Sequence, residues 1–182
     1  MLRYFLIFFL FIFNSNSNAE FKNKIIKNLK ITNNLNFRFE QNINGKIENG
    51  NCTIEYPKKI FCEYARSSNK ILVSNGKSLV VKTRTSYYRY PLAKTPLNFI
   101  LDKNFLIEKI NGLEERIVDK RLVNYTIVDK DTELKIFFDT QTYDLVGWQN
   151  TDIYQNFNIT FISSIRKNRV LKKNLFKIPS QN

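Results

Sequence analysis

The chain has 182 residues, no histidine, two cysteines and a formal net charge of +13. Without histidine, Ser-His-Asp and Cys-His catalysis and His-based zinc sites are excluded, and two cysteines cannot supply a four-thiolate site, so neither a metal nor a cofactor is expected. The lysine excess would suit nucleic acid or an anionic membrane surface, but the lysines are dispersed among asparagines. No recognition-helix, zinc-finger or RNP pattern occurs, and no nucleic-acid partner is expected.

Residues 1–19 read as a secretory signal peptide. Arg3 gives a positive start, Tyr4 to Phe13 is an unbroken apolar run, and Asn14 to Asn18 is polar, with Ser17 and Ala19 at the small-residue positions of a cleavage site. The apolar run falls short of the roughly 20 residues that span a bilayer; the competing reading is an N-terminal anchor. No cysteine follows the site for lipid attachment. Residues 20–182 are then one mature domain, of a length that buries a single core.

Phe21, Ile25, Ile26 and Leu29 form a helical stripe over 21–29. From Leu35 the period becomes two: Leu35, Phe37 and Phe39 alternate with Asn36, Arg38 and Glu40. Asn44-Gly45 is a hairpin turn signal. Strands are expected near 46–56, 59–65, 70–74, 78–84 and 86–90. Thr95-Pro96 opens a short helix through Leu101. Strands resume near 105–110, 113–118, 122–129, 132–138, 145–151 and 155–163, and the C-terminal Leu175 to Pro179 reads as a docked tail. Ten or eleven short strands with frequent turns predict a mainly β fold, an antiparallel meander that curls toward a barrel.

Cys52 and Cys62 flank Pro57. A hairpin centred there pairs 52 with 62 and 54 with 60, which suits either a disulfide in an oxidising compartment or two small buried thiols. No C-x-x-C is present for redox chemistry.

Several segments occur in a distinctive order: Phe37-Arg38-Phe39-Glu40-Gln41, Tyr56 through Tyr64 (YPKKIFCEY), Ile71 through Leu79 (ILVSNGKSL), Pro91-Leu92, Thr95-Pro96-Leu97, Leu145-Val146-Gly147-Trp148 with Asp152, and Phe176 before Pro179. Together they resemble the periplasmic outer-membrane lipoprotein carrier proteins, the LolA family. The resemblance implies an incomplete, unclosed β-barrel with an apolar concave face and short helices as a lid. It also implies a periplasmic chaperone whose cargo is acylated lipoproteins. Such a carrier takes them from an inner-membrane ABC transporter and passes them to an outer-membrane acceptor, with no covalent chemistry and no need to be more than a monomer. A buried methylene is worth about 0.8 kcal/mol and a sixteen-carbon chain about 12 kcal/mol, so acyl chains need an apolar escort through water.

Strand parity then nominates Leu35, Phe37, Phe39, Ile54, Tyr56, Ile60, Leu79, Val81, Phe157, Ile159 and Phe161 as cavity wall, and Leu97, Phe99, Ile100 and Leu101 as lid. Parity serves ordinary core packing equally well; the ligand role rests on the resemblance. Two positions depart from the family. Tyr56 stands where a lid-contacting arginine is usual, leaving Arg38 or Arg89 to take over that contact, and Cys62 stands where a bulky apolar residue is common. The rival readings are a periplasmic binder of lipids or other acylated ligands, and a hydrolase using Asp102, Glu108, Asp139 or Asp152. No nucleophile motif accompanies those carboxylates, and no enzyme activity is expected.

Overall fold

The computed structural model describes residues 17–65, 69–129, 132–151 and 156–181. The apolar leader Tyr4 to Phe13 and Asp152 lie outside these residues. The chain opens with helix α1 (Ser17–Ile31), longer at both ends than the apolar stripe alone indicates. Six strands follow: β1 (Asn34–Ile43), β2 (Lys46–Glu55), β3 (Lys59–Tyr64), β4 (Ile71–Asn75), β5 (Ser78–Lys82) and β6 (Tyr87–Pro91). A single 3-10 turn (Leu92–Lys94), α2 (Leu97–Ile100) and α3 (Lys103–Gly112) interrupt the strands. The chain then returns through β7 (Arg116–Val118), β8 (Leu122–Asp129), β9 (Thr132–Asp139), β10 (Leu145–Thr151) and β11 (Phe157–Lys167).

All eleven strands form one antiparallel sheet in the order β6-β5-β4-β3-β2-β1-β11-β10-β9-β8-β7. The first and last strands are neighbours, so the sheet curls, yet β6 and β7 remain separate edges. The barrel is unclosed, and the helical segment 92–112 lies between those two edge strands in the chain.

Local chemistry sets the turns. Asn44 and Gly45 both have positive φ (49° and 87°), as the two-residue hairpin between β1 and β2 requires. The β2–β3 hairpin turns through Pro57 and Lys58, which pairs Cys52 with Cys62 and Ile54 with Ile60. In the β4–β5 turn the Asn75 carboxamide oxygen accepts from the backbone N–H groups of Lys77 and Ser78.

One expectation is overturned. Residues 105–110 form the centre of α3, not a strand. Leu106 and Ile110 stand four apart and are fully buried, and the Asp102 carboxylate caps the helix by accepting from Phe105 N. The segment holds Phe105, Leu106, Ile107 and Ile110 within six residues, an apolar run too short for period alone to separate a strand from a helix.

The concave side divides into two regions. At one end, Ile25 and Leu29 of α1 join Leu106 and Ile110 of α3 over Leu35, Phe37, Ile54, Val123, Tyr125, Phe138 and Leu145. Polar contacts fasten α1 there. Asn28 Nδ2 donates to Tyr143 O and to the Asp144 carboxylate, which Lys167 also meets at 2.7 Å. Lys103 Nζ donates to Thr32 O beyond the helix C-terminus, where such donors are favourable. On the convex side the C-terminal segment crosses the sheet. Tyr87 Oη donates to Pro179 O, and Lys59 Nζ stands 5.8 Å from the Phe176 ring centre.

Candidate functional site: an apolar cavity under a helical roof

The other end of the concave side is hollow. A cavity of about 280 Å³ lies between the sheet and the segment 95–100. Its apolar wall comes from β3, β4 and β5 through Ile60, Leu72, Leu79 and Val81, with Phe39 of β1 opposite and Pro96, Leu97 and Ile100 above. Cys52 and Cys62 are joined by a disulfide and also line it.

Phe39 is held by its neighbours. Its ring meets Tyr64 edge-on at 4.9 Å between centres. Beneath it lies Gly50, whose position would place a Cβ 2.8 Å from Phe39 Cε1 and against Glu63 O. Only glycine leaves room for both the ring and the β3 backbone.

The far end of the cavity is polar. Gln41, Thr160 and Trp148 are cross-strand neighbours on β1, β11 and β10, and Asn158 pairs with Asn150 one step along. Gln41 Nε2 donates to Asn158 Oδ1 at 3.0 Å and Thr160 Oγ1 at 3.3 Å. Lys70, at the rim, is bound to the buried Glu48 carboxylate at 2.5 Å and sits 4.0 Å from the Tyr64 ring centre. Burial, and then the Glu48 charge, push the Tyr64 phenol above its ordinary range.

The roof is tethered at its two ends. Leu92 N–H donates to Lys77 O at 2.9 Å, and Lys58 N–H donates to Leu101 O at 2.7 Å. Lys58 Nζ also stands 3.4 Å from the Asp102 carboxylate. Between these tethers, among the described residues, the hydrogen bonds of 93–100 are local, such as Thr95 to Leu92 O and Asn98 N to Thr95 O. Side-chain packing alone seats the roof on the cavity.

The residues nominated from sequence divide into three groups. Phe39, Ile60, Leu79, Val81, Leu97 and Ile100 stand on the cavity wall. Leu35, Phe37, Ile54, Tyr56 and Leu101 share the inward side but belong to the packed core, and Phe99 packs on Phe105. Phe157, Ile159 and Phe161 require a correction: they face outward, with Phe157 and Phe161 each 44% exposed, while Asn158 and Thr160 between them line the cavity. Phe161 stacks on Phe137 at 5.8 Å, and both rings cover Gly147, where a Cβ would lie 3.1 Å and 3.4 Å from them. The glycine draws the aromatic pair to the convex side.

Trp148, Asn150, Leu72 and Lys70 were not anticipated as cavity residues. Extending strand parity from Leu145-Val146-Gly147-Trp148 would not have reached Trp148, because pairing with β9 shifts between Leu145 and Gly147.

The Tyr56 side chain makes no hydrogen bond to the lid among the described residues. It is buried, with its hydroxyl unpartnered among the described residues, and burial raises its phenol pKa. Arg38 is exposed on the convex face, and Arg89 donates to Ser78 Oγ at the surface, so neither replaces an inward arginine. Among the described residues no cluster of three His, Cys, Asp or Glu side chains could hold a metal ion. No helix among them is long and apolar enough to cross a membrane.

Comparison with known proteins agrees with this architecture. Residues 30–179 match the family described as outer membrane lipoprotein carrier protein LolA, and the chain belongs to that family. Among curated proteins, none matches it by sequence. An uncharacterised conserved protein of Thermus thermophilus superposes with a TM-score of 0.51 at 7% identity, over 90% of this chain and 94% of that one. MucB of Pseudomonas aeruginosa gives 0.52 at 9% identity, over 92% of this chain and 65% of its own. A LolA superfamily protein, NE2245 of Nitrosomonas europaea, gives 0.46 at 7% identity, over 88% and 97%. At such identities the likeness is one of fold.

Proposed function

We propose that this protein is a periplasmic chaperone that binds the acyl chains of lipoproteins and carries them from an inner-membrane ABC transporter to an outer-membrane acceptor. In this reading residues 1–19 direct export and are removed near Ala19. The supporting observation is the apolar cavity inside an unclosed barrel, roofed by a segment that only its ends tie to the sheet. Family membership adds the cargo class.

The physics fits a carrier better than a permanent store. At about 280 Å³ the partly open cavity falls just below the roughly 300–1,000 Å³ range of small-molecule pockets. Acyl chains therefore need the roof to lift. Lifting exposes Leu97, Ile100 and the wall beneath, and a chain that fills the space restores the lost apolar burial. Binding and opening are thus coupled through one apolar surface.

The test is release from membranes. Purified protein is added to spheroplasts or transporter proteoliposomes holding a newly made lipoprotein. A soluble one-to-one complex is expected. No release, while another family carrier works in the same assay, would overturn the carrier reading and leave an acyl-ligand binder with other cargo.

A further inference from the structure

The polar end of the cavity has more hydrogen-bond donors than the protein itself uses. Gln41 spends its amide N–H groups on Asn158 and Thr160, and its Oε1 faces Tyr64 Oη at 3.5 Å. Asn158 Oδ1 and Thr160 Oγ1 are therefore engaged as acceptors. The Asn158 amide N–H groups and the Thr160 hydroxyl proton have no partner among the described residues. Asn150 and Trp148 add to them: each is only 5% exposed, each lines the cavity, and among the described residues neither side chain has a hydrogen-bond partner. These groups open onto the cavity, because among the described residues the fully buried side-chain atoms without a partner are Tyr56 Oη and Glu115 Oε1; a ligand that displaced solvent from them would have to replace those hydrogen bonds.

Charge narrows the ligand. Lys70 is neutralised by Glu48 at 2.5 Å, so the cavity presents N–H and O–H dipoles rather than a free cation. Such a surface suits a neutral acceptor. A bare hydrocarbon chain would cover these donors and satisfy none of them.

We propose that this end of the cavity binds the carbonyl of an acyl ester or amide, through Asn150 and Trp148 with Asn158 and Thr160 beside them. The protein then holds its cargo by the linkage as well as by the chain. The assignment rests on the acyl-carrier reading and adds to it a preference for acyl over alkyl ligands.

Two amphiphiles that differ by one carbonyl test it: 1-monododecanoylglycerol and 1-O-dodecylglycerol. Trp148 is the only tryptophan in the chain, so its fluorescence reports binding at the site itself. The ester is expected to bind about tenfold more tightly than the ether, the worth of roughly one well-made buried hydrogen bond. Asn150→Leu, checked for cooperative unfolding, should bring the ratio of the two affinities close to one. Equal affinities for the wild-type protein would overturn the proposal while the acyl-chain reading stands, as would a folded Asn150→Leu that keeps the full preference. Saturable binding of neither amphiphile would overturn both.

Discussion

Gly50 carries a constraint out of proportion to its size. Any side chain there would meet both Phe39 and the carbonyl of Glu63, and the backbone carbonyl cannot give way. Gly50→Ala is expected to destabilise the fold by about 1–3 kcal/mol, as overpacking does, read as a lower denaturant midpoint at unchanged slope. Tyr56 carries the opposite kind of defect, a buried hydroxyl without a partner among the described residues. Tyr56→Phe should leave stability unchanged or raise it by up to about 1 kcal/mol in the same measurement. Tyr56→Arg should lower it: the guanidinium would be buried, and Lys103 Nζ already stands 5.9 Å from the ring centre. A Tyr56→Arg protein as stable as wild type would show that a partner for the charge exists after all.

Among the elements, the roof and the β9–β10 turn are the most informative. Asp102 has two duties: it caps α3 through Phe105 N and faces Lys58 across the tether. Asp102→Ala should cost about 1 kcal/mol from the cap alone and speed amide exchange in 97–106 more than in the sheet. Uniform exchange across the molecule would show that the junction does not govern the roof. In the β9–β10 turn, burial pushes the Asp139 carboxyl up. The N–H groups of Thr142 and Gln141, the Thr142 hydroxyl and the Arg121 charge together outweigh it and hold the pKa below its ordinary value. A lowered folded pKa contributes stability above the unfolded value and loses it as pH falls through the folded one. The advantage of wild type over Asp139→Asn in thermal unfolding should therefore shrink below the ordinary carboxylate range. An advantage that grew on acidification would contradict this.

Across the whole molecule, the sheet was legible wherever local signals and burial agreed. Leu35, Phe37 and Phe39 alternate and do point inward, and Asn44-Gly45 and Pro57 set hairpins whose registers follow. Legibility failed where tertiary neighbours decide. In β11 the aromatic residues face out because Gly147 leaves a groove for Phe161 and Phe137, and nothing within 157–161 reveals a glycine on the next strand. The inward residues of β1 and β2 also split between core and cavity. The split depends on how far α1 and α3 reach across the barrel, which no strand pattern contains. Sequence parity thus identified the concave side of β1, β2, β3 and β5 but not of β11, and only packing showed which part of it is hollow.

The central claim is that acyl chains occupy this hollow. The most direct measurement is a titration of a diacylated lipopeptide followed by Trp148 fluorescence, in the wild-type protein and in Phe39→Glu. The account predicts a saturable change for wild type and a loss of affinity of at least about tenfold in Phe39→Glu, since a carboxylate in the apolar wall is desolvated by the chain. No response from wild type, or a folded Phe39→Glu protein that binds equally well, would contradict it.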